Sequence, residues 1–135
     1  MVEEVLAPDQ QIVADPEVFH QSFGGVTTLG GNADPGDRFG LTLTAWNFGK
    51  NQFIPGILPN PSRIVTTADL AVGVPFEDLF SQVDGVTLLA DTGAVNVIYG
   101  SINGLTTTGN QFWTEGNPGM PTSLAAGDEF GLALY

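Results

Sequence analysis

One nine-residue motif occurs twice in this chain, 91 residues apart. The first motif, residues 35–43, reads PGDRFGLTL, and the second motif, residues 126–134, reads AGDEFGLAL. In both motifs a Gly-Asp pair, which is typical of turns, precedes a Phe-Gly-Leu stretch with strand-like alternation. A turn-and-strand unit that recurs at long spacing indicates a β architecture in which one structural unit is repeated around an axis or along a stack.

The composition favours short strands over long helices. The chain has 135 residues, of which 42% are hydrophobic, so it is long enough to form one domain with a core. Its 18 glycines and 9 prolines place turns at close intervals. We therefore expect an all-β fold.

The charge is strongly acidic. The chain has fifteen acidic and three basic residues, and its formal net charge is −12. Such a chain is repelled by nucleic-acid phosphates and by anionic lipid surfaces, so we expect no nucleic-acid partner. The acidic surface would instead suit cations or a basic partner. The chain contains no cysteine, which excludes disulfides and thiolate chemistry.

The chain divides into an arm and one domain. Residues 1–16 read as an extended N-terminal arm, and residues 17–135 as a single β domain. The arm has neither the basic nor the apolar segment of a secretory signal. We expect no membrane insertion either, because no apolar run reaches 18 residues.

Within the domain the clearest strand signal is the alternation at residues 37–46, where Phe39, Leu41, Leu43 and Ala45 are expected to share the buried face. Further strands are predicted at residues 17–23, 67–74, 93–99, 111–114 and 129–135. A long Pro-rich loop is predicted at residues 47–65, one or two helical turns at residues 75–83, and a turn at Asn103-Gly104.

The order of these segments resembles the FG-GAP repeat, the family that builds the blades of integrin-α-like β-propellers. The matching segments are Phe39-Gly40, Ala68-Asp69-Leu70-Ala71-Val72-Gly73-Val74-Pro75, Gly93-Ala94-Val95-Asn96-Val97-Ile98-Tyr99-Gly100-Ser101, Gly104-Leu105-Thr106, Gln111-Phe112-Trp113 and Gly127-Asp128 with Phe130-Gly131. The resemblance covers residues 17–135 and implies about one and a half blades. A single blade cannot bury both of its faces, so the resemblance also implies other subunits or further repeats. The alternative fold is a six- to eight-stranded β-sandwich or jelly-roll.

The resemblance implies a calcium loop as well. Blades of this family often carry an Asp-rich loop that binds calcium, closed by a later Asp. The corresponding positions here are Asn47, Asn51 and Asp69. Amides replace carboxylates, and Lys50 lies inside the loop. Because calcium prefers several oxygen ligands with net negative charge, these changes weaken the expected site. Asp34 and Asp37 are a weaker second candidate for calcium, and turn formation is their expected role.

Catalytic signals are sparse. Asp91-Thr92-Gly93-Ala94 resembles the active-site loop of dimeric aspartic proteases, but no segment that would serve as a flap follows it. His20 is the one histidine, so little general-base machinery is available. We therefore expect that the protein is not an enzyme and that it needs no cofactor, with calcium as the one candidate ion.

These observations predict a non-enzymatic structural or adhesion-type binding module that assembles with copies of itself or with other subunits through blades and strand edges. The first alternative is a viral capsid-decoration or filament subunit. The second is a calcium-dependent cell-surface adhesion domain. The family resemblance implies an extracellular or cell-surface location, with the virion as the alternative.

Overall fold

The computed structural model describes residues 34–56 and 60–135, and this part of the chain is all-β. It contains eight strands and no helix. The strands are β1 (Thr42–Trp46), β2 (Gln52–Ile54), β3 (Arg63–Val65), β4 (Asp69–Val74), β5 (Leu79–Phe80), β6 (Leu88–Leu89), β7 (Ala94–Ser101) and β8 (Gly104–Trp113). The predicted arm at residues 1–16 and the predicted strand at residues 17–23 lie outside the described residues.

Four of the strands form the main sheet, in the order β1-β4-β7-β8, with every neighbouring pair antiparallel. The strands predicted around β4 and β7 are confirmed. The predicted turn at Asn103-Gly104 is confirmed too, because Ser101 pairs with Gly104 and leaves a two-residue hairpin loop between β7 and β8. The segment predicted at residues 111–114 is the end of the longer strand β8.

The main sheet has a hydrophobic cluster on each face. On face 1 the buried residues are Ala71, Val95, Val97 and Tyr99, with Trp113, Phe130 and Leu134 packed against them. On face 2 the buried residues are Val72 and Ile98, with Phe39, Leu70 and Leu105 packed against them. Since β4 and β7 are buried on both faces, their sequences read as continuous apolar runs rather than as an alternation.

The second motif lies across face 1 and does not form the strand predicted at residues 129–135. It makes one isolated parallel bridge, Gly93 to Phe130. A strand needs a ladder of bonds to a neighbour, and among the described residues this segment has only that bridge. Its apolar side chains nevertheless add to the core, because Phe130 and Leu134 pack on the face 1 cluster.

The expected orientation of β1 is wrong. The half-buried residues of the strand are Thr42 and Thr44, and the Leu43 side chain is 57% exposed. The reason is tertiary: the threonines lie on face 1, beneath the second motif, and Thr42 Oγ1 donates a hydrogen bond to the Gly131 carbonyl at 2.6 Å. Leu43 lies on face 2, opposite Val72.

The helical turns predicted at residues 75–83 are wrong as well. The carbonyl of Glu77 accepts hydrogen bonds from the Gly93 N–H at 3.1 Å and from Thr92 Oγ1 at 2.9 Å. The Ser81 N–H, which would close a helical turn onto Glu77, donates instead to the Thr87 carbonyl at 2.8 Å. The segment therefore turns after Val74 and continues as β5, paired with β6.

The Pro-rich segment at residues 47–65 contains a two-stranded sheet of β2 and β3. Its described prolines, Pro55 and Pro61, lie outside both strands, where they remove no ladder hydrogen bond. Phe53 and Ile64 pair directly across this hairpin, and both side chains are exposed. No helix of the length and hydrophobicity needed to cross a bilayer occurs in residues 34–56 and 60–135.

Candidate functional site

The residues predicted to ligate calcium lie around a tight turn after β1. Asn47 Oδ1 accepts the Gly49 N–H at 2.8 Å, and Asn47 Nδ2 donates to Asn51 Oδ1 at 3.1 Å. We call residues 47–51 the amide turn. Gly49 has φ 101°, a left-handed conformation that glycine adopts without steric cost. The two amide side chains therefore hold the turn closed by bonding to each other.

Asp69 joins the amide turn to the main sheet. It is the first residue of β4 and is only 1% exposed. Its Oδ2 atom accepts the Phe48 N–H and its Oδ1 atom accepts the Gly100 N–H, both at 2.8 Å. A buried carboxylate needs such donors, because burying a charge without partners is costly. Asp69 thus connects the turn after β1 to the end of β7.

Lys50 extends from the amide turn to the far edge of the sheet. Its Nζ atom donates to the Gly109 carbonyl at 2.9 Å and lies 4.5 Å from the centre of the Tyr99 ring. Burial raises the pKa of Tyr99, and the negative charge of Asp69 adds to that shift. Through its hydrogen bond to the Gly109 carbonyl, Lys50 connects the amide turn to the irregular part of β8, where the register with β7 shifts.

The structure brings Asn47 and Asn51 into direct contact and links Asp69 to them through the Phe48 N–H. Within residues 34–56 and 60–135, no group of three or more His, Cys, Asp or Glu side chains is arranged to hold a metal ion. Calcium at Asn47, Asn51 and Asp69 stays a prediction, and the experiments below test it.

Asp34 and Asp37 form a turn, as expected. The Asp34 N–H donates to Asp37 Oδ2 at 2.7 Å, and the Asp37 N–H donates to the Asp34 carbonyl at 3.4 Å. Asp37 is buried, and this burial raises its pKa; the bond from the Asp34 N–H opposes the rise, and the charges of Asp34 and Asp78 add to it. The pair therefore shapes the start of the first motif.

The second motif docks on residues 90–93, which we call the receptor loop. Three main-chain hydrogen bonds hold it there. They run from the N–H groups of Gly127, Glu129 and Phe130 to the carbonyl oxygens of Ala90, Asp91 and Thr92, in that order, at 2.9, 3.0 and 3.0 Å. The protease-like Asp-Thr-Gly sequence thus presents main-chain acceptors to the second motif. The Asp91 N–H donates to Asp78 Oδ1 at 2.8 Å, which helps to fix the loop.

Glycines allow the second motif to approach so closely. A Cβ atom on Gly93 would overlap the main chain of Phe130, and one on Gly73 would overlap the Gly131 carbonyl oxygen. A Cβ atom on Gly131 would lie 2.6 Å from the Ala94 carbonyl oxygen. These glycines were not singled out as site residues from the sequence. For Gly131, the signal that could have identified it is the Phe-Gly pair shared by the two motifs.

An acidic pair lies at the edge of the same contact. A hydrogen bond with the Asp128 carboxyl raises the pKa of Glu115, and desolvation and the charge of Asp128 raise it further. Glu115 follows the end of β8, whereas Asp128 belongs to the second motif. The second motif therefore carries an electrostatic strain at neutral pH that is relieved when Glu115 is protonated.

The central residues of the two motifs, 38–41 and 129–132, have the same backbone conformation. Arg38 and Glu129, which occupy equivalent positions, have φ of 54° and 51°, and Gly40 and Gly131 have φ of 83° and 90°. In both motifs the residue after Phe-Gly donates its N–H to the carbonyl three residues earlier, at 3.0 Å. The internal repeat seen in the sequence is therefore also a structural repeat. Comparisons with protein-family models, curated proteins and solved structures returned no match.

Proposed function

We propose that this chain is a non-enzymatic structural or binding module that assembles with copies of itself or with other protein subunits. In this proposal the main sheet is one blade of the FG-GAP propeller type, and the second motif is the start of a second blade. The strands of the main sheet are antiparallel and lie in the order β1-β4-β7-β8, which is also their order along the chain. This arrangement supports the interpretation, because a propeller blade is a four-stranded meander.

The observation that carries the proposal is the docking of the second motif on face 1. It combines main-chain hydrogen bonds to the receptor loop, glycine-mediated close approach and apolar packing of Phe130 and Leu134. Repeat proteins are stabilised by such contacts between one unit and the next. A molecule whose repeated motif already makes one contact of this kind is suited to make more with neighbouring subunits.

The edges of the main sheet support assembly too. The edge strands β1 and β8 contain neither a charged residue nor a proline. Charged residues and prolines are common devices against edge-to-edge pairing, so strands without them are open to it. Several large apolar side chains are also exposed, among them Trp46, Phe53 and Ile64. Phe53 and Ile64 lie directly opposite each other, and exposed apolar patches are typical of protein interfaces.

The acidic charge bears on the choice of partner. At a net charge of −12, copies of the chain repel one another at long range, and cations or a basic partner reduce that repulsion. By the family resemblance, we propose an extracellular or cell-surface location.

Light scattering of the purified chain, in calcium and in a chelator, tests the proposed function. We expect concentration-dependent assembly in both buffers. Loss of assembly on chelation would favour the calcium-dependent adhesion domain. A folded monomer that melts cooperatively in both buffers, at every concentration reached, would contradict the proposal.

A further inference from the structure

The charges of the described residues are separated between the two ends of the main sheet. We call the end where β1 and β7 begin the acidic end, and the end where they finish the hairpin end. In residues 34–56 and 60–135, nine of the ten acidic residues lie at the acidic end: Asp34, Asp37, Glu77, Asp78, Asp84, Asp91, Glu115, Asp128 and Glu129. The tenth, Asp69, is buried at the hairpin end, where Lys50 and Arg63 also lie. Charge is therefore separated along the strand direction.

The hairpin end presents an exposed apolar pair. Phe53 and Ile64 lie opposite each other in the β2–β3 hairpin, and they are 63% and 68% exposed. Gln52 Oε1 accepts the Ile102 N–H at 3.2 Å, which holds the hairpin beside the turn between β7 and β8. Arg63 adjoins Ile64 in β3 and is exposed. The hairpin thus offers two large apolar side chains with a positive charge beside them.

The acidic end contains an apolar groove, which we call the acidic groove. Two cavities of about 420 and 330 Å³ adjoin there and share three lining residues, Leu79, Phe80 and Phe112. Phe80 pairs with Leu88 across β5 and β6, and both side chains are more than half exposed. Asp34 and Asp78 line the larger cavity. Since pockets of about 300–1,000 Å³ hold small organic ligands, the groove has room for an aromatic side chain.

We propose that the β2–β3 hairpin of one copy of this chain docks in the acidic groove of a second copy, with Phe53 and Ile64 in the groove and Arg63 beside Asp34. This inference rests on the proposed function, and it names the partner and the two surfaces. The surfaces are complementary in charge and are both apolar at their centres. They lie at opposite ends of the main sheet, which β7 spans with eight residues, a length of about 25 Å. Docking therefore needs a second copy.

Charge also disfavours the symmetric alternatives. Two hairpin ends in contact would oppose the basic residues Lys50 and Arg63 to their own copies, and two acidic ends would oppose carboxylates to carboxylates. The contact between unlike ends avoids both repulsions. Because it uses a different surface on each copy, it joins the chains head to tail, into a ring where the rotation closes and into a filament where it does not.

The test uses Phe53→Ser and Phe80→Ser, which shorten one apolar side chain of the hairpin or of the groove without changing the charge. Each variant should associate about tenfold or more weakly than the wild type by sedimentation or light scattering. Their 1:1 mixture should form a heterodimer, because one variant keeps the groove and the other keeps the hairpin. The control is Leu41→Ser, at a leucine that is 48% exposed and lies outside both surfaces, and it should associate as the wild type does.

Asp34→Arg tests the charge complementarity. We expect weaker association, because the new arginine would face Arg63 of the docked copy. This variant also reduces the net negative charge of the chain, so stronger association would show that net charge governs assembly and would overturn the proposed docking. Adding Arg63→Glu to Asp34→Arg should restore the association, since the pair of charges is then exchanged.

The other outcomes separate this inference from the proposed function. Association that Phe53→Ser, Phe80→Ser and Leu41→Ser leave unchanged would overturn the docking but leave the proposed function standing. A loss in Phe53→Ser alone would indicate a symmetric contact between hairpins and overturn the docking too. A wild type that stays monomeric at every concentration would contradict the proposed function itself. If a variant does not fold by circular dichroism, Ile64→Ser or Leu88→Ser, at the position paired with it, takes its place.

Discussion

At the scale of single residues, Asp69 is a buried carboxylate whose two oxygens accept main-chain N–H groups. Asp69→Asn replaces one acceptor oxygen by a donor, so one N–H group loses its partner. We expect the free energy of unfolding to fall by about 1–3 kcal/mol, measured by urea denaturation in a chelator. Asp34→Asn, a change of the same chemistry at an exposed position, should alter it by less than about 0.5 kcal/mol.

The same pair of variants tests the calcium prediction. If Asp69 acts only through its main-chain partners, the loss is equal with calcium and with chelator. A loss that appears only when calcium is present would instead identify Asp69 as a ligand.

Glu115 gives a second prediction at this scale, on pH. The Asp128 carboxyl raises the pKa of Glu115 in the folded chain, so protonation of Glu115 favours folding. That stabilisation is present at low pH and is lost as the pH rises through the raised pKa. Glu115→Gln, which removes the repulsion, should raise the melting temperature at about pH 7 and have little effect at about pH 4.

Glu129→Gln removes one negative charge from the second motif, to which Asp128 belongs, and serves as the control for Glu115→Gln. A pH-independent gain in melting temperature that is equal for the two variants would show that net charge, rather than the Glu115–Asp128 contact, is responsible.

At the scale of elements, the contact between the receptor loop and the second motif depends on Gly93. This residue has φ 79°, and a Cβ atom would overlap the main chain of Phe130. Gly93→Ala should therefore cost about 1–2 kcal/mol for the left-handed backbone and about 1–3 kcal/mol more for the overlap, measured by thermal or urea unfolding.

Gly85→Ala separates these two contributions. Gly85 has φ 67°, and a Cβ atom there meets nothing within 4 Å, so only the backbone cost applies. Equal losses in the two variants would mean that the second motif can move away from the receptor loop at no cost.

At the scale of the whole molecule, the dominant feature is the net charge of −12. The screening length falls from about 30 Å at 0.01 M salt to about 3 Å at 1 M, so added sodium chloride should raise both the melting temperature and the tendency to assemble. Scanning calorimetry and light scattering across this range measure the two effects. Calcium chloride at matched ionic strength is the control, since a larger effect of calcium would indicate specific binding. A melting temperature that does not change with sodium chloride would contradict the expected self-repulsion.

Much of the main sheet could be predicted from the sequence. The strands β4 and β7 and the turn after Ser101 follow from local apolar runs and turn residues, which act over a few neighbours along the chain. The family resemblance pointed to Asn47 and Asn51 as calcium-loop positions, and the structure places these two side chains in contact, while calcium binding there stays a prediction. The two partners of Asp69 were not predictable, because both are main-chain N–H groups, which every residue but proline carries.

The sequence by itself determined that this chain is a β protein with an internal repeat, since both follow from residue types and their spacing. Only the tertiary structure decided which face of β1 is buried, why residues 75–83 turn rather than coil into a helix, and that Asp91-Thr92-Gly93 presents acceptors to the second motif. Each of these depends on segments far apart in the chain. The alternation of apolar and polar residues at β1 predicts that one face of the strand is buried and the other exposed. It does not decide which, because the second motif, 91 residues beyond the first, covers the threonine face and leaves Leu43 exposed.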